Sequence, residues 1–292
     1  NISIKKIMNK KFFFVSPSAK KNSILNIFKK VNIQKILITK NKKYKGIIDR
    51  DEFFENITND KFLLDNPVII MSGGLGKRLA PLTRILPKGL IPVGNEPIIK
   101  MIMNEFYKNS FNNFNIILNY HGKMFEGYFF QHKLKFNINF FHEKNRLGTV
   151  GYLSKLKKNF NKTIFLTNCD ILLKVNYKEI LKYHENLDND LTICSSYKKI
   201  KIPYGVCNIN KKSQLLSMQE KPEVNYLVNT GFYLIKPNVL KYLSYNQKTD
   251  MNEFITKLKK LKKKIGVYPV PGNSWLDMGE WNEYQKTINL LK

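Results

Sequence analysis

Cysteine is scarce in this chain. Its three cysteines, Cys169, Cys194 and Cys207, form no CxxC pair and no even set, which argues against a disulfide framework or a thiolate zinc site and fits a reducing cytoplasm. Arginine is scarcer than the charge suggests. Of 50 basic residues only Arg50, Arg78, Arg84 and Arg146 are arginine, so the formal net charge of +28 is almost all lysine, scattered through every segment among many asparagines. Sequence-reading nucleic-acid proteins draw on arginine for bidentate contacts. The charge is therefore read as a solvated basic surface that raises encounter with any anion, a triphosphate included, and no nucleic-acid partner is expected. Long apolar runs are missing too: none approaches the about 20 residues needed to cross a bilayer. Phe12 to Val15 is too short for a signal-peptide core despite the lysines before it. No membrane partner and a cytoplasmic location are expected. The four histidines, His121, His132, His142 and His184, show no ligand spacing and read as packed or solvated.

What is present is ordinary core material. In 292 residues, 43% are hydrophobic and 13% aromatic, enough for one large α/β domain with a smaller companion. The division is expected at residues 1–62 and 63–292. In the first part Ser18 is placed as the cap of a helix carrying Ile24, Leu25 and Phe28, followed by strands at Ile36–Ile38 and Lys45–Ile48 and a second helix after Asp51. From Asn66 the pattern alternates strand and helix. Val68–Met71 is a continuous apolar strand suited to a parallel sheet covered on both faces. Strands at Asn115–Leu118, Ile138–Phe141 and Thr163–Thr167 alternate with helical patterns around Ile98–Tyr107, Lys123–His132 and Tyr152–Leu156. Past Leu191 shorter strands suggest a mixed sheet forming a substrate lobe, before closing helices near Asn252–Lys263 and Glu280–Leu290. The expected fold class is α/β, a doubly wound, mostly parallel sheet.

The strongest local signal spans residues 69–99, IIMSGGLGKRLAPLTRILPKGLIPVGNEPII. Ser72, Gly73, Gly74 and Gly76 follow the buried strand, where glycines let backbone N–H groups close around phosphate oxygens, and Arg78 and Lys88 add cations. It is neither a Walker A loop nor GxGxxG, because Arg78 stands where a magnesium-binding Ser or Thr belongs. With Pro81, Thr83 and Pro87 at these spacings it resembles the GGxGxRxxPxTxxxPK signature of the sugar-phosphate nucleotidyltransferases, or NDP-sugar pyrophosphorylases. The resemblance runs on in order: Glu143 with Leu147–Gly151 (E...LGTAG), Asn168-Cys169-Asp170 (NGD), Tyr204-Gly205-Val206, Glu220-Lys221-Pro222, Asn229-Thr230-Gly231 and Trp275–Gly279 (WxDxG). Cys169 stands in place of a glycine, Gly89 in place of the proline after the key lysine, and Lys77 in place of a small Thr or Ser. The fold implied is that of the nucleotide-diphospho-sugar transferases.

Ahead of this domain, KILITKNKKYKGIIDRDEFF resembles the second half of a CBS motif. One repeat is visible, and a chain beginning at Asn1 is read as lacking the other member of a pair. A CBS part in this position is similar to a subgroup associated with GDP-sugar supply for nonulosonic, legionaminic-type sugars. The alternative for this segment is a packing or dimerisation appendage; a homo-oligomer is expected, through this segment or otherwise.

The resemblance implies attack by a sugar 1-phosphate on the α-phosphorus of a nucleoside triphosphate, with departure of pyrophosphate and Mg²⁺ as cofactor. Four phosphate groups then meet in one cleft, so catalysis rests on positioning and on cations. Asp170 and Asp277 are the metal candidates and, with Arg78 and Lys88, the catalytic set: Arg78 for the pyrophosphate, Lys88 for the α-phosphate. Ser72, Gly73, Gly74, Gly76, Glu143 and Gly148 are assigned to the nucleotide; Gly205, Glu220, Lys221 and Asn229 to the sugar phosphate. A carboxylate only accepts hydrogen bonds, and guanine offers two adjacent donors. Glu143 would thus suit GTP if it faces the base, or it caps the following turn. Uridylyl or thymidylyl transfer, mannose or heptose 1-phosphate as acceptor, and a non-catalytic nucleotide sensor remain alternatives.

Overall fold

The computed structural model describes residues 12–31, 33–41, 43–50, 53, 63–132 and 135–291. The chain divides into two compact units, Asn1–Phe62 and Leu63–Lys292. In the first, β1 (Phe14–Val15) runs parallel to β2 (Lys35–Lys40), which pairs antiparallel with β3 (Lys43–Asp49). The helix α1 (Lys21–Lys30) joins β1 to β2. It turns Ile24 and Phe28, one helical turn apart, onto Val15, Ile36 and Phe53 to make a small core. Ser18 does not cap this helix: Lys20 is the N-cap residue and gives no side-chain bond. The Ser18 hydroxyl is engaged with that of Ser16 at 2.9 Å. The helix expected after Asp51 lies, apart from Arg50 and Phe53, outside the described residues.

The second unit is built on β4 (Leu64–Ser72), whose apolar run is buried on both faces. Val68 and Ile70 enter one core with Phe106, Phe114, Phe165 and Phe232. Ile69 and Met71 enter the other with Leu153, Leu166, Phe254 and Leu258. This is the period-two alternation of a strand between two layers. The helix α2 (Ile98–Lys108) brings Phe106 to the first face, where it stacks on Phe232 with ring centroids 5.6 Å apart. The chain continues through β5 (Phe111–Leu118), α3 (Gly122–Gln131), β6 (Asn137–His142), β7 (Ile164–Asn168), β8 (Ile171–Leu173) and α4 (Tyr177–Asn186). Then come β9 (Leu191–Lys201), the hairpin β10 (Val206–Ile209) and β11 (Leu215–Gln219), and β12 (Glu223–Ile235). The chain closes with α5 (Met251–Lys260), β13 (Ile265–Val270), β14 (Trp275–Asp277) and α6 (Trp281–Leu291).

The central sheet has the order β13-β9-β12-β7-β4-β5-β6, and only β12 runs against its neighbours. It is the mostly parallel α/β sheet expected. From β4 the chain moves outward to β5 and β6, then returns to the other side of β4 for β7. That reversal opens a crevice at the carboxyl ends of these strands, the usual place for a ligand in an open α/β sheet.

Two expectations are refined. Past Leu191, β10, β11 and β14 are short, with 4, 5 and 3 residues, but β9 has 11 residues and β12 has 13. They pair from Leu191↔Ile235 to Lys201↔Glu223 across an irregularity at Cys194/Ser195. Their buried halves complete the central sheet and their exposed halves project beyond it, and the hairpin β10–β11 forms a small sheet of its own. The helical pattern around Tyr152–Leu156 is a 3₁₀ segment, Gly151–Lys155. The backbone N–H groups of Val150 and Gly151 both donate to Thr249 O at 3.2 Å, which ties the start of that segment down.

Two of the three nonstandard motif residues, Gly89 and Cys169, are neighbours. A Cβ on Gly89 would lie 3.3 Å from the Cys169 Cβ and 3.1 Å from two ring atoms of Phe125. Phe125 is fully buried and Cys169 nearly so. The room that Cys169 fills is thus left free by the glycine. Gly89→Ala is expected to destabilise by about 1–3 kcal/mol through overpacking. Added to Cys169→Gly, it is expected to cost less than the sum of the two single changes. Denaturant unfolding of the four members of that cycle measures the coupling; strict additivity would show the two sites to be independent.

Candidate active site

The strand β4 delivers the glycine loop to the crevice. Ser72 is buried at its end beside the Cys169 thiol. Gly76 is left-handed at φ 62°, and a Cβ there would stand 2.6 Å from Thr83 Cγ2 and 3.3 Å from Lys88 Cβ. The Thr83 hydroxyl donates to Gly76 O at 3.0 Å. Gly76 and Thr83 of the signature therefore lock together beneath Lys88. The loop lines a cleft of about 300 Å³ together with Arg78, Lys88, Glu143, Gly148 and Asp170. Gly73 and Gly74 form part of this lining; Ser72 and Gly76 do not.

One charged cluster draws on three segments. Asp170 follows β7, and Asp277 ends β14, which pairs with β8 so that Ile171 faces Asp277. Lys88 comes from the short helical turn after the glycine loop. The Lys88 ammonium is paired with Asp170 Oδ2, and both side chains are nearly buried. A Cβ on Gly279 would fall on that Asp170 oxygen and 2.9 Å from both Asp277 Oδ1 and Lys88 Nζ. Gly279 is what allows the three charges to converge, and its N–H donates to Asp277 Oδ1 at 2.8 Å. Burial raises the Asp277 carboxyl above the usual range against that hydrogen bond, and the neighbouring Asp170 raises it further. Asp277 faces a smaller hollow of about 190 Å³ together with Glu280. Arg78, exposed on the cleft side, is ion-paired to Glu280. The Arg78–Glu280 pair thus joins the two hollows, while the Lys88–Asp170 pair lines the larger one.

Burial, then Asp170, pushes the Cys169 thiol up to about 11. It stays protonated at neutral pH, which leaves it a poor nucleophile.

The other end of the cleft is made by the loop after β6. Glu143 is buried. Its Oε1 accepts from Leu147 N at 2.7 Å and so caps the turn, while its Oε2 would lie 2.9 Å from a Cβ on Gly73. One oxygen thus closes the loop, as the capping reading expects, and the other lies against the glycine loop at the cleft. Gly148, at φ 77°, lies so close to Thr249 O and Asp250 Oδ1 that a Cβ would stand 2.6 Å from each.

The sugar-phosphate candidates are not brought into this cleft. Gly205, Glu220 and Lys221 converge on one another at the exposed hairpin: a Gly205 Cβ would be 3.1 Å from Glu220 Oε2, and Lys221 Nζ is 3.7 Å from Glu220 Oε1. Asn229 sits apart on β12, its amide donating to the Tyr233 hydroxyl at 2.7 Å. It approaches the cleft through Gly231, whose missing Cβ would be 3.1 Å from Asn168 Nδ2, and Asn168 is in the lining. Two lining residues, Arg146 and Asp250, are not singled out by the sequence motifs. Asp250 also forms a capping box with Glu253 at the start of α5. That D-x-x-E spacing ahead of an apolar helix is a legible signal. Arg146 has none beyond its rarity.

A family model described as Nucleotidyl transferase matches residues 67–292. The chain belongs to this family. Among the relatives of this nucleotidyl transferase chain is the probable mannose-1-phosphate guanylyltransferase 3 of Oryza sativa subsp. japonica, 27% identical over 231 residues, 76% of this chain and 63% of the relative. The chain spans less than two thirds of the length of such relatives. A D-glycero-α-D-manno-heptose 1-phosphate guanylyltransferase of Aneurinibacillus thermoaerophilus is 27% identical over 228 residues, 77% of this chain and 97% of that one. Among solved structures, HddC from Yersinia pseudotuberculosis complexed with GMP-PN superposes with a TM-score of 0.61 at 20% identity, over 78% of this chain and 100% of that one. The last likeness supports the nucleotide-diphospho-sugar transferase fold. Among the described residues no helix is long and apolar enough to cross a membrane.

Proposed function

We propose that this chain transfers GMP from GTP to a hexose, amino-hexose or heptose 1-phosphate, releasing pyrophosphate and forming a GDP-sugar. The observation that carries the reading is the convergence of Lys88, Asp170 and Asp277 around Gly279 beside a glycine loop at the strand ends. It is joined by the guanylyltransferase names of the relatives. Backbone N–H groups at Gly73 and Gly74 face the triphosphate. Arg78 exchanges Glu280 for the departing pyrophosphate, whose two oxygens suit its planar fork, and Lys88 neutralises the α-phosphate. Asp170 and Asp277 fit Mg²⁺: they are hard carboxylates whose oxygens converge, and Lys88 now supplies the cation between them. Bound there, Mg²⁺ would neutralise phosphate charge as a Lewis acid. Glu220, Lys221 and Asn229 take the sugar phosphate once the hairpin that carries the first two comes over the cleft. The N-terminal unit acts as a CBS-like appendage that mediates assembly into a homo-oligomer. In this reading the enzyme works in the cytoplasm, with GDP-sugar supply for nonulosonic sugars as its setting.

Glu143 is the test of the base. In Glu143→Gln the oxygen that accepts from Leu147 N can be kept, and the amide nitrogen then takes the place of Oε2. A guanine donor would meet an amine, whereas a uracil or thymine edge gains a donor for its carbonyl. Preference for GTP is expected to fall by about 1–3 kcal/mol, the cost of an unsatisfied buried donor. Pyrophosphate release by both forms with GTP, UTP and dTTP decides; an unchanged ranking of the nucleotides removes Glu143 from base recognition.

A further inference from the structure

We propose that Arg146 is a specificity residue that donates to O6 and N7 of guanine while Glu143 accepts from N1–H and the 2-amino group; the inference rests on the guanine reading above. Strands β6, β5, β4 and β7 are consecutive neighbours. At about 4.8 Å per step, β6 and β7 stand about 14 Å apart. Glu143 and Arg146 follow β6, and Asp170 follows β7. The separation is comparable with the reach of a nucleotide from its base edge to its α-phosphate, so a triphosphate held at Lys88 and Asp170 places its base at the 143–148 loop.

That loop is fixed at both ends. Glu143 N donates to Leu118 O at 2.7 Å and Glu143 O accepts from the Asn119 amide at 2.6 Å. Leu147 N closes the loop on the Glu143 carboxylate. Within it Lys144, Asn145 and Arg146 are all exposed, but only Arg146 lines the cleft. Two cations act electrostatically on Glu143, Lys155 and Arg146. Lys155 is already engaged over the Tyr152 ring, 5.3 Å from its centroid. Arg146 has no hydrogen bond or ion pair among the described residues. An unengaged guanidinium beside a carboxylate with one free oxygen makes a donor set next to an acceptor.

Guanine carries the complementary pattern, with O6 and N7 accepting and N1–H and the amine donating, and an arginine fork is the commonest partner of its O6/N7 edge. Adenine reverses the polarity at positions 6 and 1. Pyrimidines have no N7.

Calorimetric titration of the full chain with magnesium nucleotides needs no sugar substrate. Wild type is expected to bind GTP about 10- to 100-fold more tightly than 7-deaza-GTP, which lacks the N7 acceptor. Arg146→Met is expected to abolish the difference between GTP and 7-deaza-GTP, and Arg146→Lys, charged but without the fork, to keep only part of it. Preference of wild type for GTP over UTP, dTTP and ATP tests the guanine reading by itself. If that preference holds while GTP and 7-deaza-GTP bind alike, the Arg146 assignment alone is overturned. It is overturned as well if Arg146→Met weakens GTP, 7-deaza-GTP and ATP by one common factor, the mark of a phosphate contact. Absence of any preference for GTP overturns both.

Discussion

Asp277→Asn is expected to lower turnover at least about 100-fold while leaving the fold as stable as before or more so. The loss follows from removing one of two carboxylates that would share a divalent cation. The stability half follows from the electrostatics. Burial first, and Asp170 as well, raise the Asp277 carboxyl above its ordinary value. A raised carboxylate means that the ionised form is penalised in the folded chain. The penalty is absent below the unfolded-state pKa, grows as pH rises toward the folded-state value, and is fully present at neutral pH. The amide is uncharged and keeps an oxygen for the Gly279 N–H, so the penalty disappears with the charge. Steady-state pyrophosphate release read beside a melting curve at pH 7 separates the two effects. Full activity would remove Asp277 from the catalytic set, and a large drop in melting temperature would make its role structural.

Gly279→Ala is expected to lower turnover by about 100-fold, equivalent to about 2.7 kcal/mol of transition-state stabilisation, with little change in melting temperature. The added methyl would occupy the place where Asp170 Oδ2, Asp277 Oδ1 and Lys88 Nζ meet. All three are the ends of side chains and can swing aside, so the backbone survives. What is lost is their convergence, on which positioning catalysis depends. Gly127→Ala serves as a control: that glycine lies in α3 with open space where a Cβ would go, and alanine favours the helix. If Gly279→Ala turns over like wild type, the cluster is not the reacting centre.

The apolar run Val68–Met71 is readable as a doubly covered parallel strand because both its faces are core, which leaves no polar alternation to confuse it. The outer halves of β9 and β12 are not. Lys198, Lys199 and Lys201 in β9, with Asn225 and Tyr226 in β12, make a polar ribbon held by backbone pairing rather than by an apolar face, and period-two patterning carries no signal there. The glycine signature resembles a phosphate loop, but it treats Gly73 and Gly76 alike. Gly73 faces the cleft, and Gly76 is a left-handed turn residue beneath Lys88 whose place only the Thr83 contact reveals. Gly279 is legible merely as part of a motif. Its importance lies in a side chain it does not have, at a point where residues 88, 170 and 277 meet, and no spacing along the chain encodes that meeting. Arg146 reads from sequence as one more surface cation in a lysine-rich chain. Its place in the cleft depends on Glu143 folding the loop back on Leu147.

In the proposed function, this cleft joins a nucleoside monophosphate to a sugar 1-phosphate. Incubating the full chain with Mg²⁺, GTP and a panel of glucose, glucosamine, mannose and heptose 1-phosphates, and reading products by mass spectrometry, tests it most directly. The prediction is one GDP-sugar formed in equal amount with pyrophosphate, dependent on the sugar phosphate and lost on chelation of the metal. Hydrolysis of GTP without transfer, a UDP- or dTDP-sugar made in preference when those triphosphates compete, or no turnover with any member of the panel would contradict it.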